Sequence, residues 1–189
     1  MTLLLRLSRA IDALNDGVGR LVYWLVLVAV LVSAGNASIR YAFDASSNGW
    51  LELQWYLFSA VFLLAAGYTL RHNEHVRIDV INVHLPAKAR AVIDLFGGAL
   101  FLLPMAVIIL VLSWPMVVDS YLRHEMSSDA GGLLRWPVKL LIPVGFLLLA
   151  LQGVSEIIKR IAFLAGYIPD PLEKHDEPVA EEMSGGTAL

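Results

Sequence analysis

Four apolar runs, each near 20 residues long and most of them edged by charge, set the terms on which this chain can fold. They are Leu21–Ile39, bracketed by Arg20 and Arg40; Trp50–Leu70, followed at once by Arg71; about Leu95–Val118; and about Val138–Val154. About 20 apolar residues in a helix cross a hydrocarbon core about 30 Å thick. With 58% hydrophobic and 16% charged residues, too little polar surface remains to clothe a soluble domain. The expected fold class is an all-α integral membrane protein with four transmembrane helices, over about 21–39, 50–70, 91–120 and 138–158, forming a membrane domain at 21–160.

The third run continues as helix-like sequence from Ala91 to about Leu122, longer than a simple crossing needs, so tilt or bending is expected. Pro104 and Pro115 lie inside it and each removes a backbone donor, which predicts at least one kink. Ahead of the first span, Leu4, Leu7, Ile11, Leu14 and Val18 recur at helical spacing opposite Arg6, Arg9, Asp12 and Asp16. Residues 1–20 therefore read as an amphipathic segment lying on the membrane surface. Val76–Leu85 mixes apolar and polar residues without a decisive period and reads as membrane-hugging, its conformation open. The tail, 168–189, carries six acids against Lys174 and is expected to be disordered.

Charge sets the orientation. Ten lysines and arginines fall on the side of the N-terminus, the second loop and the C-terminus; only Arg40, Arg123, Arg135 and Lys139 fall on the other. That bias predicts both termini in the cytoplasm, with the first span as an uncleaved signal anchor. The formal charge of −3 belongs to the tail, since the tail alone carries −5.

Chemistry must be sought at the edges of the spans, because a charge at the bilayer centre costs about 2.5–3.5 kcal/mol on insertion scales. Asn36 and Arg40, four apart, share a face of the first helix, and Glu52 lies just inside the second on the same side. An Arg40–Glu52 pair would let both charges sit at the boundary, as a clamp on the hairpin. On the opposite side Arg71, His72, Glu74, His75, Arg77 and Asp79 crowd nine residues. They read as a polar network at a helix end; a metal or haem site is disfavoured because no span contains a histidine. Small residues recur within spans, at Ser33 with Ala37, Ala34 with Ser38, Ala65–Gly67, Gly97–Ala99 and Gly145, and allow close helix approach. There are no cysteines, hence no disulfide framework or thiolate metal site. No nucleotide loop or catalytic constellation stands out and no internal repeat of the kind that builds transport sites is visible, so no catalytic, cofactor or metal residue is assigned.

Asn36, Arg40 and Tyr41, then Trp50, Glu52 and Leu53, then Gly67, Arg71, His75, Val76, Arg77 and Asp79, in this order and spacing, resemble the small membrane subunit (DctQ-type) of tripartite ATP-independent periplasmic (TRAP) transporters. Trp136–Arg160 is similar to that family's last span. The resemblance implies a scaffold subunit in a bacterial cell inner membrane, surrounded by membrane lipid. Its partners would be a large TRAP membrane subunit, which holds the transport and sodium sites, and a periplasmic solute-binding protein; no nucleic acid is implied. It also implies import of organic acids, carboxylates among them, driven by a sodium or other ion gradient, with Asn36, Arg40, Glu52, Arg71, His75, Arg77 and Asp79 as interface or structural polar residues. The rival reading is a haem- or quinone-binding membrane anchor of a respiratory complex.

Overall fold

The computed structural model describes residues 2–44, 47–72 and 85–169. They form α1 (Thr2–Phe43), α2 (Asn48–Arg71), α3 (Ala87–Gly97), a π-helical turn (Gly98–Leu102), α4 (Leu103–Leu122) and α5 (Trp136–Leu164). α3, the π turn and α4 run on as one 36-residue crossing, giving four helices long and apolar enough to span a membrane. The all-α, four-span class expected from the sequence is therefore what is observed. The expected disorder of the tail and the membrane-hugging reading of Val76–Leu85 fall, from Asp170 onward and up to His84, outside the described residues.

α5 is the central helix. It packs against α1, α2, α3, the π turn and α4, whereas the α1–α2 hairpin and α4 meet chiefly through it. In its most apolar stretch 39% of residues are buried, against 6–11% in the other three crossings, whose apolar side chains mostly face outward. Such outward exposure is the normal state of helices solvated by lipid. Lipid tails are as apolar as leucine, so what holds these helices together is close approach and polar bonding.

Close approach is visible at two glycines. A Cβ on Gly145 of α5 would lie 2.7 Å from the Leu63 carbonyl oxygen of α2. A Cβ on Gly67 of α2 would collide with the Asn15 side chain of α1 and come within 3.2 Å of the Leu148 carbonyl oxygen. Both positions lie among the small residues singled out in the sequence. Ser33, Ala34, Ala37 and Ser38 of α1 are instead exposed.

α1 is unbroken over 42 residues, so the amphipathic segment and the first span are one helix with no hinge at residue 20. Its bundle-facing side is Ser8, Ile11, Asn15, Gly19 and Val22, while Leu4, Leu7 and Leu14 face outward. In the third crossing the irregularity expected from proline sits at Pro104. The Leu103 N–H bonds back five residues to Gly98 O. Pro104 has no N–H to give and its ring needs room in the preceding turn, which one widened turn provides. Pro115 is carried within α4.

Gly145→Ala should destabilise the protein by about 1–3 kcal/mol, because the obstructing atom is backbone and cannot rotate away. Gly97→Ala, with nothing among the described residues within 4 Å of its Cβ, should be neutral or stabilising by up to about 1 kcal/mol. Thermal unfolding of the two variants in the same detergent checks the contrast.

Candidate functional site

The largest fully buried side chains are polar or proline: Gln152, Asn15, Pro143, Ser8, Ser120 and Ser155. Four of these six, all but Pro143 and Ser120, meet where the first half of α1, the C-terminal ends of α2 and α5, and α3 converge. Asp12 of α1 accepts hydrogen bonds from Gln152 Nε2 (2.8 Å) and Ser155 Oγ (2.8 Å) of α5. Lys159 Nζ reaches Asp12 at 3.3 Å and Glu156 Oε1 at 2.5 Å. Gln152 also donates to Glu156 (3.0 Å) and accepts from Asn15 Nδ2 (2.9 Å), and Ser8 and Ser155 share a 2.7 Å hydroxyl bond.

α2 and α3 join the same network. Arg71 forms an ion pair with Asp16 and donates to the Asp12 backbone carbonyl, and His72 Nε2 lies 3.4 Å from Asp16. His72 also stacks on Tyr68, whose hydroxyl meets that of Tyr23 at 3.0 Å. Arg160, 3% exposed, reaches Asp94 of α3 at 3.4 Å. A polar group buried without a partner costs roughly 1–3 kcal/mol or more, so the network is stable only when the helices that share it are all in place. It is a lock on the packing of four helices.

A second clamp closes the other end of the bundle. Glu52, in the second turn of α2 and 3% exposed, accepts a hydrogen bond from Ser127 Oγ and another from the Leu133 N–H (2.6 Å). Tyr56 OH donates to Leu134 O (3.0 Å), and Asn48 Nδ2 to Ala130 O (3.1 Å). The 123–135 loop is thus tied down along one side by α2. Lys139 of α5 pairs with Glu125 at its other flank, and a short antiparallel bridge, Met126 to Leu134, closes it internally. Hydrogen bonding from Lys139 holds the Glu125 carboxyl below the usual carboxylate range.

The sequence-derived candidates separate on this map. Among the described residues no ion pair joins Arg40 to Glu52: Glu52 turns instead to the 123–135 loop, whose backbone N–H offers a fixed partner, and Arg40 is exposed. Asn36 is half-buried, in a shallow groove with Gly35, Ile39 and Trp50. Arg71 and His72 bond across to α1, while His75, Arg77 and Asp79 lie outside the described residues. Asp12, Asn15, Gln152, Ser155, Glu156 and Lys159 were not singled out. Their signal was present as polar residues at i, i+3 and i+4 in two helices, 8–12–15 in α1 and 152–155–156–159 in α5. Nothing in the sequence said that these faces meet.

Compared with known proteins, residues 29–163 match the model of the family described as "Tripartite ATP-independent periplasmic transporters, DctQ component". No curated protein and no solved structure matches the chain.

Three outcomes are expected from these clamps. Asp12→Asn and Lys159→Met should each destabilise the protein by about 2–4 kcal/mol, since each leaves a partly buried partner unmatched. The double variant should cost less than their sum, a coupling that unfolding measurements on all four proteins would resolve. Glu52→Ala should release the loop, read as faster amide exchange at Ser127 and Leu133. Because the Glu125 carboxyl is depressed, its contribution is intact above the ordinary carboxylate value, about 4.3. It should be lost as pH falls through the lower folded value, so amide protection in the 125–135 loop, taken relative to the intrinsic exchange rate at each pH, should change little between pH 7 and pH 5 and fall in stronger acid.

Proposed function

Because the chain belongs to the DctQ component family, the small membrane subunits of tripartite ATP-independent periplasmic transporters, we propose that it works as a scaffold. It supports the large membrane subunit and helps dock a periplasmic binding protein, in import of organic acids, carboxylates among them, driven by a sodium or other ion gradient. One observation carries this reading: the strong polar clusters lie at the two ends of the bundle and are spent on holding helix to helix. Between those ends the stretches 22–39, 53–67, 105–118 and 140–148 carry no Asp, Glu, Lys or Arg, and α2 and α5 approach closely there at Gly145. A rigid body of this kind suits an anchor better than a conduit, whose binding residues would be expected near the midplane.

The ten-to-four distribution of lysine and arginine favours an inner-membrane orientation with both termini cytoplasmic. The clamped 123–135 loop then faces the periplasm, and the Asp12–Lys159 network the cytoplasm. In that orientation the loop is an ordered surface from which Met126 and Leu134 project, suited to a docking partner. Asn36 and Arg40 stand at the same end without a role in the clamp and are proposed as contacts to other subunits. Glu52 is proposed as the residue that shapes the loop, and Arg71, with the neighbouring His75, Arg77 and Asp79, as contributors to the cytoplasmic edge.

Expressed alone, the protein should support no uptake; co-expressed with its large subunit, it should co-purify through detergent. Arg40→Ala and Glu52→Ala should lower complex yield or maximal uptake rate several-fold and leave solute preference unchanged in competition assays. A switch in the imported acid would place this chain on the solute path and refute the scaffold reading.

A further inference from the structure

Asp12 stands three residues after Arg9 and Asp16 four before Arg20, spacings at which an isolated helix would pair each acid with its neighbouring arginine. The folded chain does otherwise. Asp12 is taken by Lys159 of α5 and Asp16 by Arg71 of α2. Arg9 and Arg20 are left exposed, as is Arg6, and among the described residues no acid pairs with any of the three. The imbalance is confined to this end of the bundle. Among the described residues it carries eight lysines and arginines to four acids, whereas the end that holds the 123–135 loop carries four to five. The four acids, Asp12, Asp16, Asp94 and Glu156, all have cationic partners within the bundle, so the unspent charge is positive.

We infer that the outward edge of α1 from Arg6 to Arg20 binds the anionic headgroups of membrane phospholipids. Arg9 and Arg20, eleven residues or about three turns apart, lie above one another, and Arg6 is one turn from Arg9, so the cationic edge is about 21 Å long. What lies beside the arginines selects lipid over a soluble anion. Leu3, Leu7 and Leu14 are exposed on the same outward half of the helix, away from Ser8, Ile11, Asn15 and Gly19, which pack on the bundle. An apolar edge thus runs next to a cationic one, the pattern of a helix set between acyl chains and headgroups. An acidic protein surface would offer the arginines the same charge but would leave the leucines against water.

The fold also fixes the depth of that edge. Ser8 bonds to Ser155 and Asn15 to Gln152, so this part of α1 crosses α5 beside Val154, where the apolar run of α5 ends. Gly19, next to Arg20, packs on Tyr68, one turn from the end of α2. The arginines are therefore held where hydrocarbon gives way to headgroups rather than carried out into water. An arginine at that level keeps its stem on apolar surface and presents a planar fork that pairs with phosphate through two parallel N–H···O bonds. Each basic residue near an anionic leaflet contributes about 1 kcal/mol. Neither the charge nor the depth depends on a partner subunit; only the leaflet, cytoplasmic, follows from the orientation proposed above.

The test is native mass spectrometry of the purified full chain, released from micelles doped with equal amounts of phosphatidylglycerol and phosphatidylcholine of identical acyl chains. Phosphatidylglycerol adducts should exceed phosphatidylcholine adducts by about tenfold, and Arg6→Gln, Arg9→Gln and Arg20→Gln combined should bring the ratio to within about twofold of unity. The three arginines changed to lysine keep the charge and should retain most of the preference. No preference in the parent chain, or one that survives the triple glutamine variant, would overturn the lipid site. Glycerophosphoglycerol, the same headgroup without acyl chains, should leave thermal unfolding of the parent chain unmoved where phosphatidylglycerol raises its midpoint; equal protection by the two would overturn the lipid site as well, since a soluble anion would then suffice. None of these readouts involves the large subunit, so failure here is distinguishable from failure of the scaffold reading.

Discussion

Asp12 is the residue on which the rest of the bundle depends. Its carboxylate gathers Gln152, Ser155 and Lys159 from α5, its backbone carbonyl takes a hydrogen bond from Arg71 of α2, and Lys159 passes the connection to Glu156. In a solvent as apolar as the protein, burying leucine does not tell one helix arrangement from another. Unmatched polar groups do, because each costs free energy until its partner arrives. The network therefore selects a single register among helices that lipid would otherwise leave free to slide.

The same constraint explains the position of α5. It is the helix whose buried side is mostly small or polar, so it can take α1 and α2 at close range on one side and the third crossing on the other. The third crossing meets it through a widened turn at Gly98–Leu102, placed where Pro104 would otherwise obstruct a regular helix. Glu52 repeats the strategy at the far end on a smaller scale, fixing the 123–135 loop through a side-chain hydroxyl and a backbone N–H rather than through an opposite charge.

With both ends locked internally, the surface left over is the outward side of the helices. Most of it is uniformly bulky, as lipid-facing helices are. The outward side of α1 also carries small residues, at Ala10, Gly17 and Gly35, and both α1 and the third crossing run longer than a bilayer is thick.

The sequence by itself determined the number of crossings, because twenty apolar residues between charges have few ways to fold in lipid, and pointed to the family through the order and spacing of Asn36, Arg40, Trp50, Glu52, Gly67 and Arg71, a family whose model matches residues 29–163. It also marked Gly67 and Gly145 as sites of close approach, and Pro104 as one of two places for a helix irregularity. It misassigned the partner of Glu52, since proximity in the hairpin favoured Arg40, while the actual partners lie about eighty residues away in a loop. It read Asp12 and Asp16 as the water-facing side of a surface helix, because a polar stripe looks the same whether it faces water or other polar groups. Only the tertiary structure, by setting α1 against α5 over a separation of 140 residues, decided that the stripe is the inside. Hydrophobic periodicity tells a helix which side is different; what that side touches depends on partners no local pattern encodes.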